Sequence, residues 1–140
     1  MSVELNEKLR TSINDIEAGY EFLLAYAAQG RDVEYTGGGT VSIRDYLTQM
    51  QSGLASVADD FEAIIDDLAK ESAPLYREYI DVLRADAKKS KMAVDIVLSL
   101  PSIGSQVVDN LNATIHIRAL LTDIFLLDEA LTSLSRAMKC

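Results

Sequence analysis

Apolar side chains recur every three or four residues through the segment between residues 43 and 68. The repeat consists of Ile43, Leu47, Met50, Leu54, Val57, Phe61, Ile64 and Leu68. Alternating steps of four and three residues place all of these side chains on one face of a long helix. Such a helix is stable only when this face is buried, so the pattern predicts packing against other helices.

Three further segments show similar spacing and complete the predicted fold. The first segment carries Leu5, Leu9, Ile13, Ile16, Tyr20, Leu23, Leu24 and Ala27, and the third carries Tyr76, Ile80, Leu83, Ala87 and Val94. Short connections between long helices favour antiparallel neighbours. We therefore expect residues 1–140 to form a single all-α domain, an antiparallel up-down-up-down four-helix bundle with long helices. The helices are expected at roughly 3–29, 42–70, 74–99 and 103–138.

Residues that start and stop helices stand at these expected boundaries. Gly30 suits the end of the first helix, because glycine adopts left-handed backbone at little cost. Ser42 and Asp45 have the spacing of a capping box at the start of the second helix. Pro74 suits the first turn of the third helix, where its missing N–H costs nothing. Pro101 marks the end of that helix, because proline restricts the residue before it.

Composition and charge narrow the possible partners. The chain has 140 residues, a formal net charge of −9 and a single cysteine, Cys140. The acidic balance disfavours nucleic acids and anionic membrane surfaces, because both are bound by clustered Lys and Arg. The sequence has no run of about 18 apolar residues that would span a membrane, and its polar first ten residues do not suggest a signal peptide. We therefore expect a cytoplasmic protein that binds neither nucleic acid nor membrane.

The fourth predicted helix has an apolar arc that is broader than one bundle face requires. One lobe of the arc holds Ile117, Leu121, Ile124, Leu131 and Met138, and a second lobe holds Val108, Ile115, Ala119, Leu126 and Ala130. A surface helix needs an arc of only about 100° or somewhat more. The excess indicates either a central position in the bundle or contact with another subunit, because a large exposed apolar patch is a liability. We expect a homo-oligomer, most simply a dimer, that associates through this helix.

A polar strip runs along the same helix and consists of Asp109, Asn112, His116 and Asp123. Its spacing of 3, 4 and 7 residues places the four side chains close to one line. Buried polar groups need partners, so the strip predicts either a ligand or metal site in the bundle or a structural histidine that fixes helix pairing. The Glu-x-x-His pairs of di-iron bundles and a second histidine for zinc are both missing. The strip therefore indicates no particular metal, and we expect no cofactor.

Three consecutive glycines, Gly37, Gly38 and Gly39, precede the second helix. Free N–H groups at a helix start can bind an anion, and Arg44 lies close by in sequence. The segment has neither the Gly-Lys-Ser/Thr ending nor the preceding strand of a P-loop. Either an anion-binding loop or a mobile linker accounts for this composition.

The function that these features favour is protein interaction. With one histidine in a leucine-rich helix, the sequence offers no nucleophile paired with a base, which disfavours enzymatic activity. The leading hypothesis is a non-enzymatic helical-bundle interaction protein: an adaptor, an assembly factor or a chaperone-like protein that self-associates and binds a protein partner. The alternative is a bundle that binds a small ligand, metal or cofactor through the polar strip around His116. An enzyme that acts through the glycine loop and the polar strip together is a third hypothesis, and it requires both to face one cavity.

Overall fold

The computed structural model of the chain describes residues 3–34, 42–68 and 70–138. These residues form α1 (Val3–Ala28), α2 (Ile43–Leu68), α3 (Ala73–Leu98), α4 (Ser105–Asn112) and α5 (Ile115–Met138). The described ranges contain helices and no strand, which confirms the all-α prediction. Over the same ranges, no helix combines the length and the hydropathy needed to cross a membrane.

The helices pack as a bundle with α2 between α1 and α3. On its other side α3 packs against α5, and α4 packs mainly against α1. The heptad face of α2 lies at the centre of the core, where Ile43, Leu47, Met50, Leu54, Val57, Phe61 and Ile64 are all buried. This burial confirms the face predicted from the repeat, because those side chains contact both flanking helices rather than solvent.

Gly30, Ser42 and Pro74 show the local geometry expected of residues at helix boundaries. Gly30 follows α1 with a φ of 63°, the left-handed backbone that glycine tolerates. At the start of α2 the Ser42 amide donates to Asp45 Oδ2 at 3.1 Å, and the Asp45 amide donates to Ser42 Oγ at 3.1 Å. This reciprocal pair is the capping box. Pro74 lies in the first turn of α3.

A polar cluster lies inside the contact between α1 and α2. The hydroxyl of Ser12 donates to Asp60 Oδ2 at 2.6 Å and lies 2.9 Å from Ser56 Oγ. Asp60 is 2% exposed, and the ammonium of Lys8 lies 3.5 Å from its Oδ1. The helices approach closely here, because a Cβ added at Gly53 would lie 2.7 Å from the backbone oxygen of Ser12. Glycine is therefore required at this crossing.

The prediction of one continuous fourth helix is wrong, because the chain breaks between α4 and α5. The amide of Thr114 donates to Leu111 O at 3.0 Å, three residues back, and its hydroxyl donates to Asn110 O at 3.1 Å. The hydroxyl thus takes the carbonyl that an α-helix would pair with the Thr114 amide. The break allows α4 to pack against α1 while α5 packs against α3. A bundle of only four helices therefore does not describe this chain.

Candidate functional site

The helix break divides the predicted polar strip between two helices. Asp109 and Asn112 lie on α4, and His116 and Asp123 lie on α5. Asn112 is buried, and its Nδ2 donates to the backbone oxygen of Leu23 on α1 at 3.0 Å. Asp109 is exposed and His116 is half-buried. The strip therefore faces different neighbours along its length, and ligand binding by these four residues stays a prediction.

Asp109 borders a polar cavity of about 280 Å³ beside the first turn of α4. Its lining consists of Ala27, Gly30, Arg31, Asp32, Ser105, Gln106 and Asp109. The Ser105 hydroxyl donates to Tyr26 O and accepts from the Arg31 amide, both at 2.8 Å. The Ser105 amide donates to Arg31 O at 2.8 Å. The start of α4 is thus held by the connection that follows α1. The carboxylates of Asp32 and Asp109 in the same lining would repel an anion.

Asp123 is the buried acidic residue of the contact between α3 and α5. It is 5% exposed, and its Oδ1 accepts a hydrogen bond from the Tyr79 hydroxyl at 3.1 Å. Within the described residues, its buried Oδ2 has no donor. Burial raises the pKa of Asp123 to about 7; the adjacent Asp86 carboxyl adds to the rise, and the Tyr79 hydroxyl opposes it. A carboxyl with such a pKa gains or loses its proton near neutral pH.

Arg44 is engaged by the chain itself. Its Nε donates to Glu34 Oε2 at 2.8 Å, its Nη1 to Leu98 O at 2.9 Å and its Nη2 to Leu100 O at 2.7 Å. Arg44 therefore joins the start of α2 to the end of α3 and neutralises Glu34, whose side chain is 7% exposed. Gly37, Gly38 and Gly39 lie outside the described residues, and anion binding by this loop stays a prediction.

A metal-binding cluster is not formed by the part of the chain that the structure describes. Across those ranges, no three His, Cys, Asp or Glu side chains come together in a way that could hold a metal ion. Cys140 lies outside the described residues. Asp123 and Asp86 are the carboxyls that meet at the α3–α5 contact, and two carboxylates alone are a weak ligand set for a structural metal.

The two apolar lobes predicted for the fourth helix have different surroundings. From the first lobe, Ile117, Leu121, Ile124 and Leu131 are buried. From the second lobe, Ile115 is 72% exposed and Leu126 is 55% exposed, and Phe125 next to it is also 55% exposed. We define the outer face of α5 as the exposed residues Ile115, Arg118, Thr122, Phe125, Leu126 and Glu129. The breadth of the predicted arc thus corresponds to apolar surface that the bundle leaves uncovered.

An apolar groove between α3 and α5 continues this outer face. The groove has a volume of about 280 Å³ and is lined by Leu75, Tyr76, Tyr79, Leu126, Leu127 and Ala130. Leu75, at its α3 edge, is 68% exposed. Leu126 belongs to both features, so the outer face and the groove form one continuous apolar surface.

Sequence reasoning missed several residues of this surface. Arg118, Phe125 and Glu129 belong to neither of the two predicted lobes nor to the polar strip. Steps of 4, 3 and 4 residues separate Arg118, Thr122, Phe125 and Glu129. This heptad spacing could have indicated that they share one face of the helix. The seven-residue spacing of Tyr79 and Asp86 likewise places both on one side of α3, but it does not reveal that Asp123 lies opposite.

The candidate site is therefore the outer face of α5 with the adjoining groove, and Asp123 lies at its inner edge. The Asp123 carboxyl lines a cavity of about 490 Å³ together with Ile115, Arg118, Ala119 and Thr122. A polar group thus lies next to an uncovered apolar surface, an arrangement found where proteins bind one another. No family model matches the chain, and no curated protein or solved structure shows significant similarity to it.

Proposed function

We propose that this chain is a non-enzymatic helical-bundle interaction protein, of adaptor, assembly-factor or chaperone-like type, that self-associates through the outer face of α5. The observation that carries the proposal is the exposure of Ile115, Phe125 and Leu126 on a single helix of an otherwise acidic protein. Large apolar side chains grouped on one side of a surface helix are characteristic of interfaces. Through Leu126 this surface continues into the groove that reaches Leu75. The groove enlarges the area that an occupant would cover.

A second copy of the chain is the occupant that the charges favour. Arg118 and Glu129 are eleven residues apart on the outer face. Among the described residues, neither side chain takes part in an ion pair. If two α5 helices pack antiparallel about a two-fold axis, Arg118 of each copy meets Glu129 of the other. The same register places Thr122 against Phe125 of the second copy. The face is thus self-complementary, as a two-fold interface requires.

The expected complex is weak or moderate in affinity. α5 has 24 residues, which corresponds to a length of about 36 Å. One helix face of this length lies near the lower end of specific interfaces, which bury about 800 Å² per partner. The net charge of −9 adds repulsion between copies. Dissociation constants in the micromolar range are therefore expected, and the assay must include high protein concentrations.

Sedimentation velocity at about 1 µM to about 1 mM protein tests the proposal. The weight-average sedimentation coefficient of the wild type should rise with concentration toward that of a dimer. Phe125→Glu should weaken association at least about ten-fold, because it places a charge in the apolar centre of the face. Leu24→Glu is the matched control, because Leu24 is 47% exposed on α1, away from the outer face of α5. This variant should associate like the wild type. A wild type that stays monomeric throughout, or two variants that behave alike, would contradict the proposal.

The alternative function, a small-ligand or metal-binding bundle around His116, draws support from one feature. The buried Oδ2 of Asp123 lacks a donor among the described residues, and a bound ligand would supply one. Native mass spectrometry of gently purified protein tests this alternative. A retained mass that is lost in His116→Ala, with an unchanged helical circular dichroism spectrum, would favour a ligand. A bare polypeptide mass would count against it.

A further inference from the structure

The contact between α3 and α5 contains a carboxyl group with a hydrogen-bond donor on only one of its two oxygens. Asp123 is 5% exposed, and its Oδ1 accepts from the Tyr79 hydroxyl at 3.1 Å. Its Oδ2 is buried and has no hydrogen-bond donor among the described residues. Asp86 lies on α3 two turns beyond Tyr79, and its carboxyl is near enough to raise the pKa of Asp123. Two acidic groups therefore lie close together at this contact.

Two ionised carboxylates are unfavourable in this position for two reasons. Their like charges repel across a short distance, and burial removes the water that would otherwise solvate Asp123. One proton relieves both costs. When Oδ2 of Asp123 is protonated, it donates to the Asp86 carboxylate, so the unpartnered oxygen gains a partner and one charge disappears.

We propose that Asp123 and Asp86 share a single proton at neutral pH and below, and that this proton stabilises the contact of α5 with α3. Loss of the proton leaves two facing carboxylates and weakens that contact. The ionisable groups that act on Asp123 within the described residues are Tyr79 and Asp86, both on α3. From its own helix, Arg118 lines the cavity of about 490 Å³ that Asp123 borders. This cavity gives water a route by which the proton can leave.

The direction of the pH effect follows from the geometry. Burial and the Asp86 carboxyl raise the pKa of Asp123 from 3.8 to about 7 in the folded chain. Between these two values the folded chain holds a proton that the unfolded chain has released. The contribution of the pair to stability is therefore complete below about pH 4, declines as pH rises, and is lost above the folded-state pKa of about 7. A carboxylate held by cations would show the opposite trend.

Urea unfolding of the wild type and Asp123→Asn at about pH 5 and about pH 8 tests the proposal. The carboxamide has the shape of the protonated acid and can donate to Asp86, but it cannot ionise. Each pH unit between the two pKa values should raise the unfolding constant of the wild type, relative to Asp123→Asn, by up to about ten-fold. The ratio cancels every titration that both chains share. Asp81→Asn removes an exposed carboxyl from α3 and should not reproduce the pH-dependent ratio seen with Asp123→Asn.

Three outcomes would overturn the proposal. The first is a ratio of wild type to Asp123→Asn that is the same at both pH values. The second is a wild type whose stability at the higher pH is restored by Mg²⁺ or Ca²⁺ while Asp123→Asn is unaffected, because a cation would then hold the place of the proton. The third outcome comes from the wild type alone, measured by carbon-13 NMR. It is a spectrum in which every aspartate carboxyl titrates below about pH 5. The expected spectrum contains one aspartate that titrates near pH 7.

Discussion

Replacing Gly53 by alanine is expected to destabilise the protein, although the same change within an isolated helix is stabilising. Alanine is favoured over glycine in a helix interior by about 1 kcal/mol. In this chain, however, the new Cβ would lie 2.7 Å from the backbone oxygen of Ser12 and 2.9 Å from Cγ1 of Ile16. Ordinary contacts begin about 0.5–0.7 Å farther out. The Ser12 oxygen belongs to the helix backbone, so α1 as a whole has to move.

The cost can be worked out from what that movement disturbs. Overpacking of a close contact costs about 1–3 kcal/mol. Displacement of Ser12 also strains its 2.6 Å hydrogen bond to Asp60, and a hydrogen bond to a charged group is worth about 1.5–3 kcal/mol. After the gain in helix propensity is subtracted from these two costs, Gly53→Ala should lower the free energy of unfolding by about 2–4 kcal/mol. For a chain of this size, that corresponds to a drop in Tm of roughly 8–15 °C.

Gly19→Ala is the matched control on the facing helix. Its added Cβ would lie 3.1 Å from Cβ and 3.3 Å from Sδ of Met50, so the neighbour has to move by only a few tenths of an ångström, less than at Gly53. Its free energy of unfolding should remain within about 1 kcal/mol of wild type. Urea titrations followed by circular dichroism measure both variants. A Gly53→Ala protein as stable as wild type or more so would refute the close crossing of α1 and α2 at Gly53.

Two further predictions concern the charged connection and the core. Arg44→Met should lower the free energy of unfolding by about 3 kcal/mol, because it leaves the largely buried Glu34 carboxylate without its cation; adding Glu34→Gln should recover part of that loss in a double-mutant cycle. Phe61 is fully buried in the heptad face of α2, so Phe61→Ala should cost about 3–5 kcal/mol in urea unfolding. A loss below about 1 kcal/mol at Phe61 would contradict its central position.

The helices and their ends were predictable because their signals are local. The capping box of Ser42 and Asp45, the left-handed Gly30 and the first-turn Pro74 each act within a few residues. The heptad rhythm of α2 required only the periodicity of a helix. The middle of α3 has few large apolar side chains, and the burial of Ala87 shows that the helix packs closely there.

The break between α4 and α5 was not predictable from periodicity. The lobes of apolar residues continue in phase across Thr114. Its hydroxyl bonds to Asn110 O at the break, but the Thr122 and Thr132 hydroxyls make the same kind of bond within the unbroken α5. Threonine within a helical pattern is common, and its side chain usually leaves the helix intact. The break matters for the site, because it separates Asp109 and Asn112 from His116 and Asp123.

The partners of the buried charged residues could not be predicted from the sequence either. Asp60 has several acidic neighbours in sequence, a composition typical of a solvated face, but it is 2% exposed and accepts a hydrogen bond from Ser12. Likewise, Arg44 was expected to be available for an anion, whereas Glu34 and two carbonyl oxygens occupy it. Such pairings join residues from different helices, and a single sequence does not specify which long-range pairs meet.

A charge-swap mixing experiment tests antiparallel self-association through the outer face of α5 most directly. Arg118→Glu and Glu129→Arg should each impair self-association, because each creates like-charge pairs at both ends of the face. In an equimolar mixture, the two variants should form a heterodimer, since both pairs again join opposite charges. The measurement is sedimentation velocity of each variant and of the mixture. A mixture that associates no better than the separate variants would contradict the proposed interface.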